Sequence, residues 1–129
     1  MKWTYACPHC RAVLNPHTKI VLAARRGRQR GLILLSPQPG NYQTIVDPSF
    51  VLVEGETVEL TCPACGHDLA SSAARRLAEI QLLHPGAIPR RVEFSRVYGE
   101  HATFILDGEK IVPYGDDAGA YDRVNFFGA

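Results

Sequence analysis

Thr103-Phe104-Ile105-Leu106-Asp107-Gly108-Glu109-Lys110-Ile111-Val112 reads as two β-strands joined by a tight turn. Its flanks are β-branched and aromatic, and Asp-Gly offers the positive φ angles that a type I′ hairpin turn requires. Working outward, the same grammar recurs twice. Ile20-Val21-Leu22 and Leu32-Ile33-Leu34-Leu35 flank Arg25-Arg26-Gly27-Arg28-Gln29-Arg30-Gly31, which predicts a hairpin with a longer tip carrying four arginines. Phe50-Val51-Leu52-Val53, turning at Glu54-Gly55, predicts a further hairpin that returns through Val58 and Leu60. Those two alternate with Thr57, Glu59 and Thr61, as a strand with one buried and one wet face does. Three hairpins predict an all-β fold of antiparallel strands, a small sheet or sandwich.

Residues 69–84 read two ways. Leu69, Ala73, Leu77 and Ile80 stand at helical spacing, while Ala78, Ile80 and Leu82 fit a strand. The expectation is one short helix near 70–77, capped by Ser71 or Ser72. A strand from Glu79 to His84 then pairs with Arg91–Val97 across Pro85-Gly86-Ala87-Ile88-Pro89. The proline-rich connection Ser36–Tyr42 reads as an ordered loop anchored by Tyr42, Ile45 and Phe50. After Tyr114 the chain turns acidic and glycine-rich, yet Tyr121, Val124, Phe126 and Phe127 are too apolar for a solvated end. The tail is expected to dock on the body or on a second copy.

A chain of 129 residues is the size of one ordinary domain, and 46% hydrophobic residues exclude a disordered or collagen-like chain. No stretch approaches the ~20 apolar residues of a membrane span, and Met1–Ala6 lacks the apolar core of a secretion signal. The expected location is the cytoplasm. The formal net charge of +1 hides an asymmetry. Lys2, Arg11, Lys19, Arg25, Arg26, Arg28 and Arg30 all precede residue 47 with no acid among them, and every one of the acids follows. Either the halves neutralise one another or a basic face is left open to an acidic partner.

Cys7-Pro8-His9-Cys10 and Cys62-Pro63-Ala64-Cys65-Gly66 use every cysteine in the chain. Two Cys-x-x-Cys pairs make a four-cysteine tetrahedral site at Cys7, Cys10, Cys62 and Cys65 the natural reading, since each tight turn can point two sulfurs at one ion. Gly66 permits the left-handed backbone such a turn often needs. In these residues the chain resembles the zinc ribbon family, in which two cysteine knuckles on β-hairpins share one zinc. It also resembles rubredoxin, which binds iron through similar knuckles. The resemblance covers residues 3–12 and 58–69. Arg11 replaces the glycine common after the first knuckle, and 51 residues separate Cys10 from Cys62, far more than in compact ribbons. Lengthening a closed loop that much costs only ~1 kcal/mol, against roughly 10–16 kcal/mol of apparent zinc affinity at such sites. There is no internal repeat beyond the cysteine pairs. The organisation expected is a single domain, 1–129, with knuckles at 7–10 and 62–65, inserted hairpins over 19–61 and a C-terminal β region over 78–129.

The function this predicts is a non-catalytic binding or assembly module with structural zinc, its partner a protein, a second copy or a nucleic acid, and no membrane. Arg25, Arg26, Arg28 and Arg30 are the candidate nucleic-acid contacts, with Trp3 and Tyr5 as stacking surfaces or as an aromatic lid on the metal. Two alternatives come from other classes. Cys7-Pro8-His9-Cys10 looks like the active-site tetrapeptide of periplasmic thiol oxidants, which implies redox thiols without metal. His101, with Asp116 or Asp117 to orient it, is a candidate general base. His9 and His67 sit inside the knuckles, where they can replace a cysteine, hydrogen-bond a sulfur or face solvent. No nucleophile elbow, phosphate-cradling loop or dinucleotide fingerprint occurs.

Overall fold

The computed structural model describes residues 3–127, so Lys2 and the last two residues of the 78–129 region lie outside it. The described chain is almost entirely β, in two antiparallel sheets that do not close into a barrel. Nine strands form in order: β1 Thr4–Ala6, β2 Ile20–Arg26, β3 Gln29–Leu35, β4 Thr44–Val46, β5 Glu59–Thr61, β6 Leu77–Leu83, β7 Arg90–Ser95, β8 Thr103–Asp107 and β9 Lys110–Tyr114. The first sheet runs β1-β6-β7-β8-β9 and the second β4-β3-β2-β5.

The hairpin at 103–112 forms as β8–β9, but Asp107 pairs with Lys110, so the two-residue loop is Gly108-Glu109. Gly108 has φ of 60° and Glu109 is not positive, which is the type II′ pattern rather than the expected type I′. The β2–β3 hairpin turns the same way at Gly27-Arg28, with Arg26 opposite Gln29. Its tip is therefore two residues long, and Arg25, Arg26 and Arg30 belong to the strands. The pairing expected across 85–89 is present as β6–β7, running from Leu77 opposite Ser95 to Leu82 opposite Arg90.

Two expectations are overturned. Residues 50–53 form no strand, because the Val51 amide donates to the Gln29 side chain (2.8 Å) and the Val58 amide to the Arg96 carbonyl (2.9 Å). Their would-be partners are thus taken by other elements. No helix forms at 70–77. Ser71 donates its hydroxyl to the carboxylate of buried Glu93, accepts the Ala73 amide, and sends its own amide to the Leu77 carbonyl. The period-two alternation of Ala78, Ile80 and Leu82 wins, because those side chains bury against the second sheet. The one helical turn described is a 3₁₀ turn at Ala118–Tyr121, outside any predicted element.

The sheets pack face to face. Ile20, Leu22, Ala24 and Ile33 of one meet Tyr5, Ala78, Ile80, Leu82, Val92 and Ile105 of the other in a continuous buried cluster. The opposite face of the five-stranded sheet is covered at its β8 end by the tail. There Tyr121 and Phe126 pack on Phe104, with ring centroids 5.7 and 4.9 Å away, beside Leu77 and Leu106. The predicted docking of the tail on the body is present, although Phe127 stays half exposed.

Candidate metal centre

Each cysteine pair follows a short edge strand, and the two local structures are copies of one another. After β1, the Cys7 amide donates to Ala12 O (3.0 Å), the Arg11 amide to Cys7 O (2.9 Å) and the Leu14 amide to Tyr5 O (2.8 Å). After β5, Cys62 donates to His67 O (3.0 Å), Gly66 to Cys62 O (2.8 Å) and Leu69 to Leu60 O (2.9 Å). Isolated bridges Ala6–Val13 and Thr61–Asp68 extend the match. Arg11 takes φ of 67° where Gly66 takes 76°, so the arginine adopts the left-handed turn that a glycine adopts in the other copy. Because β1 edges one sheet and β5 edges the other, the paired knuckles sit where the two layers meet.

All four sulfurs lie within 4.8 Å of one another. Cys7 Sγ is 3.9 Å from Cys65 Sγ, and Cys10 Sγ is 3.7 Å from Cys62 Sγ. Disulfide sulfurs stand ~2.05 Å apart, whereas a tetrahedron with metal–sulfur bonds of ~2.3 Å has edges of about 3.8 Å. The cluster therefore has the dimensions of a four-thiolate metal site. Backbone amides already point at the inner sulfurs: His9 N donates to Cys7 Sγ and Ala64 N to Cys62 Sγ, both at 3.3 Å. Cys7 and Cys62 are buried while Cys10 and Cys65 reach the surface. Burial pushes the Cys7 thiol up. At Cys62 burial acts the same way, but the amides of Cys65 and Ala64 and the neighbouring thiols outweigh it and leave this sulfur the easier one to ionise. The His67 amide favours ionised Cys65, yet desolvation and the three other sulfurs push it up to about 11. A cation held among them removes that mutual opposition.

His9 and His67 stand outside the sulfur cluster and stack on each other, centroids 3.4 Å apart. Tyr5 is buried and donates its hydroxyl to Pro37 O (2.6 Å), so it presents no face for stacking a base, and Trp3 packs at the rim of the core beside His84. Of the four arginines, Arg25 pairs with Glu59 (2.7 Å) and Arg26 with Glu56 (3.0 Å), while Arg28 and Arg30 have no carboxylate within ion-pair distance among the described residues. The acidic half thus neutralises half of the nominated set. Asp117 accepts a bond from the His101 backbone amide (2.8 Å) rather than from the imidazole, and that ring stacks on Tyr42 at 4.5 Å.

Two features went unseen in the sequence. A cavity of about 450 Å³ opens between the sheets, floored by Ile33, Ile80, Val92 and Phe94 and bordered by Tyr42 and His101. Several polar groups that line it are engaged: Tyr42 donates to Thr103 Oγ1 (2.9 Å), and Glu100 accepts from Ser95 (2.7 Å), Arg76 (2.8 Å) and Tyr121. The second is a charged cluster on the other face of the five-stranded sheet. Fully buried Glu93 accepts from Arg91 Nε (2.6 Å) and from Ser71, and Arg91 also approaches Glu79 at 3.6 Å. Alternating charged residues in a β-pattern read as a wet face, which hid this cluster. Among the described residues no helix is long and apolar enough to cross a membrane.

A small all-β chain with a four-cysteine site that can hold a metal ion is the class that fold and site define. Comparison with protein-family models, with curated proteins and with solved structures finds no match to this chain.

Proposed function

We propose that the chain is a non-catalytic binding and assembly module, built as a zinc ribbon whose structural zinc is shared between the edges of its two sheets. The observation that carries this is the closed set of four sulfurs, all within 4.8 Å of one another, with two contacts across the knuckles at 3.7 and 3.9 Å. Zinc takes four thiolates tetrahedrally, and a site filled by protein ligands keeps no position for water or substrate, which separates structural from hydrolytic zinc. Cys7, Cys10, Cys62 and Cys65 would hold the ion. Four thiolates around Zn²⁺ carry a formal −2, which Arg11 beside the first knuckle favours. Thiols kept available for metal fit a reducing compartment such as the cytoplasm. The partner class that best fits is protein, including a second copy. Nucleic acid is less well supported, because Glu56 and Glu59 hold two of the four arginines and Tyr5 is buried. A thioredoxin-type redox role needs the first cysteine at a helix N-terminus, and Cys7 instead follows β1 and leads into a turn.

Metal analysis of the purified chain, combined with thiol titration, tests the reading. One zinc per chain is expected, with four thiols that react with a disulfide reagent only after a chelator is added. Removal of the ion should also lower the unfolding temperature sharply, since at such sites metal affinity is folding free energy. Metal-free protein with two fast-reacting thiols would transfer the case to redox chemistry, and one iron with visible absorption would transfer it to the rubredoxin-like alternative.

A further inference from the structure

The cavity of about 450 Å³ lies between the sheets, and none of the four cysteines lines it. Interiors of domains pack as densely as organic crystals, with few voids larger than a water. This opening instead falls within the roughly 300–1,000 Å³ of small-molecule sites. Its floor is apolar: one sheet supplies Ile33 and Leu35 of β3, the other Ile80, Val92 and Phe94 of β6 and β7. At the mouth Tyr42 and His101 stack as a flat wall, with planes 2° apart and centroids at 4.5 Å.

The charge around that mouth is negative. Gly115, with φ of 96°, lies so close to the stack that a Cβ there would stand 2.6 Å from the Tyr42 hydroxyl and clash with the His101 carbonyl. The next two residues, Asp116 and Asp117, are thereby held beside the stack. Asp117 accepts the His101 backbone amide (2.8 Å), and neither aspartate has an ion partner among the described residues. Burial pushes the Tyr42 hydroxyl up, its bond to Thr103 opposes this, and the charges of Asp117 and Asp116 add to the burial. On the side of residues 98–100, Glu54 lies over Gly99, where a Cβ would meet its Cγ and Oε1 at 3.3 Å. That carboxylate too has no ion partner among the described residues. Glu100 is matched by Arg76 (2.8 Å), and buried Arg96, the one arginine of the lining, spends its guanidinium on the Arg75 carbonyl (Nε at 2.9 Å).

We propose that this cavity binds a small organic cation, an amine carried on an apolar aromatic or alkyl body. The inference goes beyond the assembly reading, since neither the four cysteines nor a protein partner takes part in it. The body buries against Ile33, Ile80, Val92 and Phe94, and the ammonium stays at the mouth among Glu54, Asp116 and Asp117. An anion on the same body would gain the same burial but meet three carboxylates and no open cation. A neutral molecule gains the floor alone. Affinity thus comes from the floor and selectivity for charge from the rim. Because Glu54, Asp116 and Asp117 are exposed, water and salt screen them, so the preference for a cation is moderate and weakens as salt rises.

Residue-resolved NMR titration of the full chain as purified tests this with phenylbutylamine, phenylbutanol and phenylbutyrate, which share one body and differ in the head. The amine is expected to give saturating shifts centred on Ile33, Tyr42, Val92, Phe94 and His101. The alcohol should bind at the same residues more weakly, and the carboxylate roughly tenfold more weakly than the amine. Glu54→Gln combined with Asp116→Asn, at exposed side chains outside the core, should weaken the amine several-fold and leave the alcohol unchanged. Leu35→Trp, which fills the cavity from a half-buried position, should abolish binding of all three in a chain whose unfolding temperature shows that it still folds. Shifts that are absent at millimolar amine or scattered over the surface overturn the proposal. So does a carboxylate that binds as tightly as the amine, or an amine indifferent to the loss of Glu54 and Asp116.

Discussion

Position 11 shows how one residue departs from a pattern without changing the structure. The two knuckles place Arg11 and Gly66 at equivalent points with φ of 67° and 76°, and the arginine meets a steric cost there that glycine does not. A Cβ on Gly66 would touch nothing within 4 Å, so only the backbone decides. Arg11→Gly should therefore be more stable than Arg11→Ala by about 1 kcal/mol, and Gly66→Ala should lose a similar amount. Denaturant unfolding of the variants as purified, at matched metal content, checks this, and equal stability of Arg11→Gly and Arg11→Ala would show that the turn is not strained. At this scale the sequence was informative about the metal centre. All four cysteines named from spacing alone come together, because a Cys-x-x-Cys turn is a local structure that needs little from the rest of the chain. The arginines were less legible: whether Arg25 and Arg26 are free depends on Glu59 and Glu56, which lie 34 and 30 residues away in the chain.

Among the elements, local signals and long-range demands separate cleanly. The β2–β3 and β8–β9 hairpins follow from glycine turns between β-branched runs, and β6–β7 from the proline-bounded connection. The 50–60 hairpin and the 70–77 helix failed because distant partners claimed their groups: Arg96 O took the Val58 amide, and Glu93 took the Ser71 hydroxyl. The cluster that holds Ser71 also makes a testable prediction. Burial raises the pKa of Glu79, and nearby Arg91 opposes this while Glu93 adds to it. An acid whose folded value is raised binds more protons folded than unfolded, so its contribution to stability falls as pH rises from the ordinary glutamate range through the raised value. Glu79→Gln lacks this titration. Relative to the parent chain it should gain stability between about pH 4 and pH 7, as read by thermal unfolding at the two pH values. A difference that stays constant would mean that ionised Glu79 sits no worse in the fold than in the unfolded chain.

For the whole molecule, what matters is which sheet each hairpin joins. Period-two patterns gave the strands, but nothing in them separated β1 with β6–β9 from β2–β5, because that partition rests on register between residues far apart in the chain. The matched knuckles are faint as a sequence repeat for a related reason: beyond the cysteines only Pro8 with Pro63 and Leu14 with Leu69 coincide, and the rest of the likeness lies in backbone bonds. Once the partition is known, the long insert between the cysteine pairs has a purpose. It builds the second sheet, and an ion held by the four cysteines would pin the edge of that sheet to the edge of the first, where Cys7 and Cys62 are buried. X-ray absorption at the zinc edge of the purified chain tests this claim most directly. The account predicts one shell of four sulfurs at ~2.3 Å. A nitrogen from His9 or His67 in that shell, or fewer than four sulfurs, would contradict it.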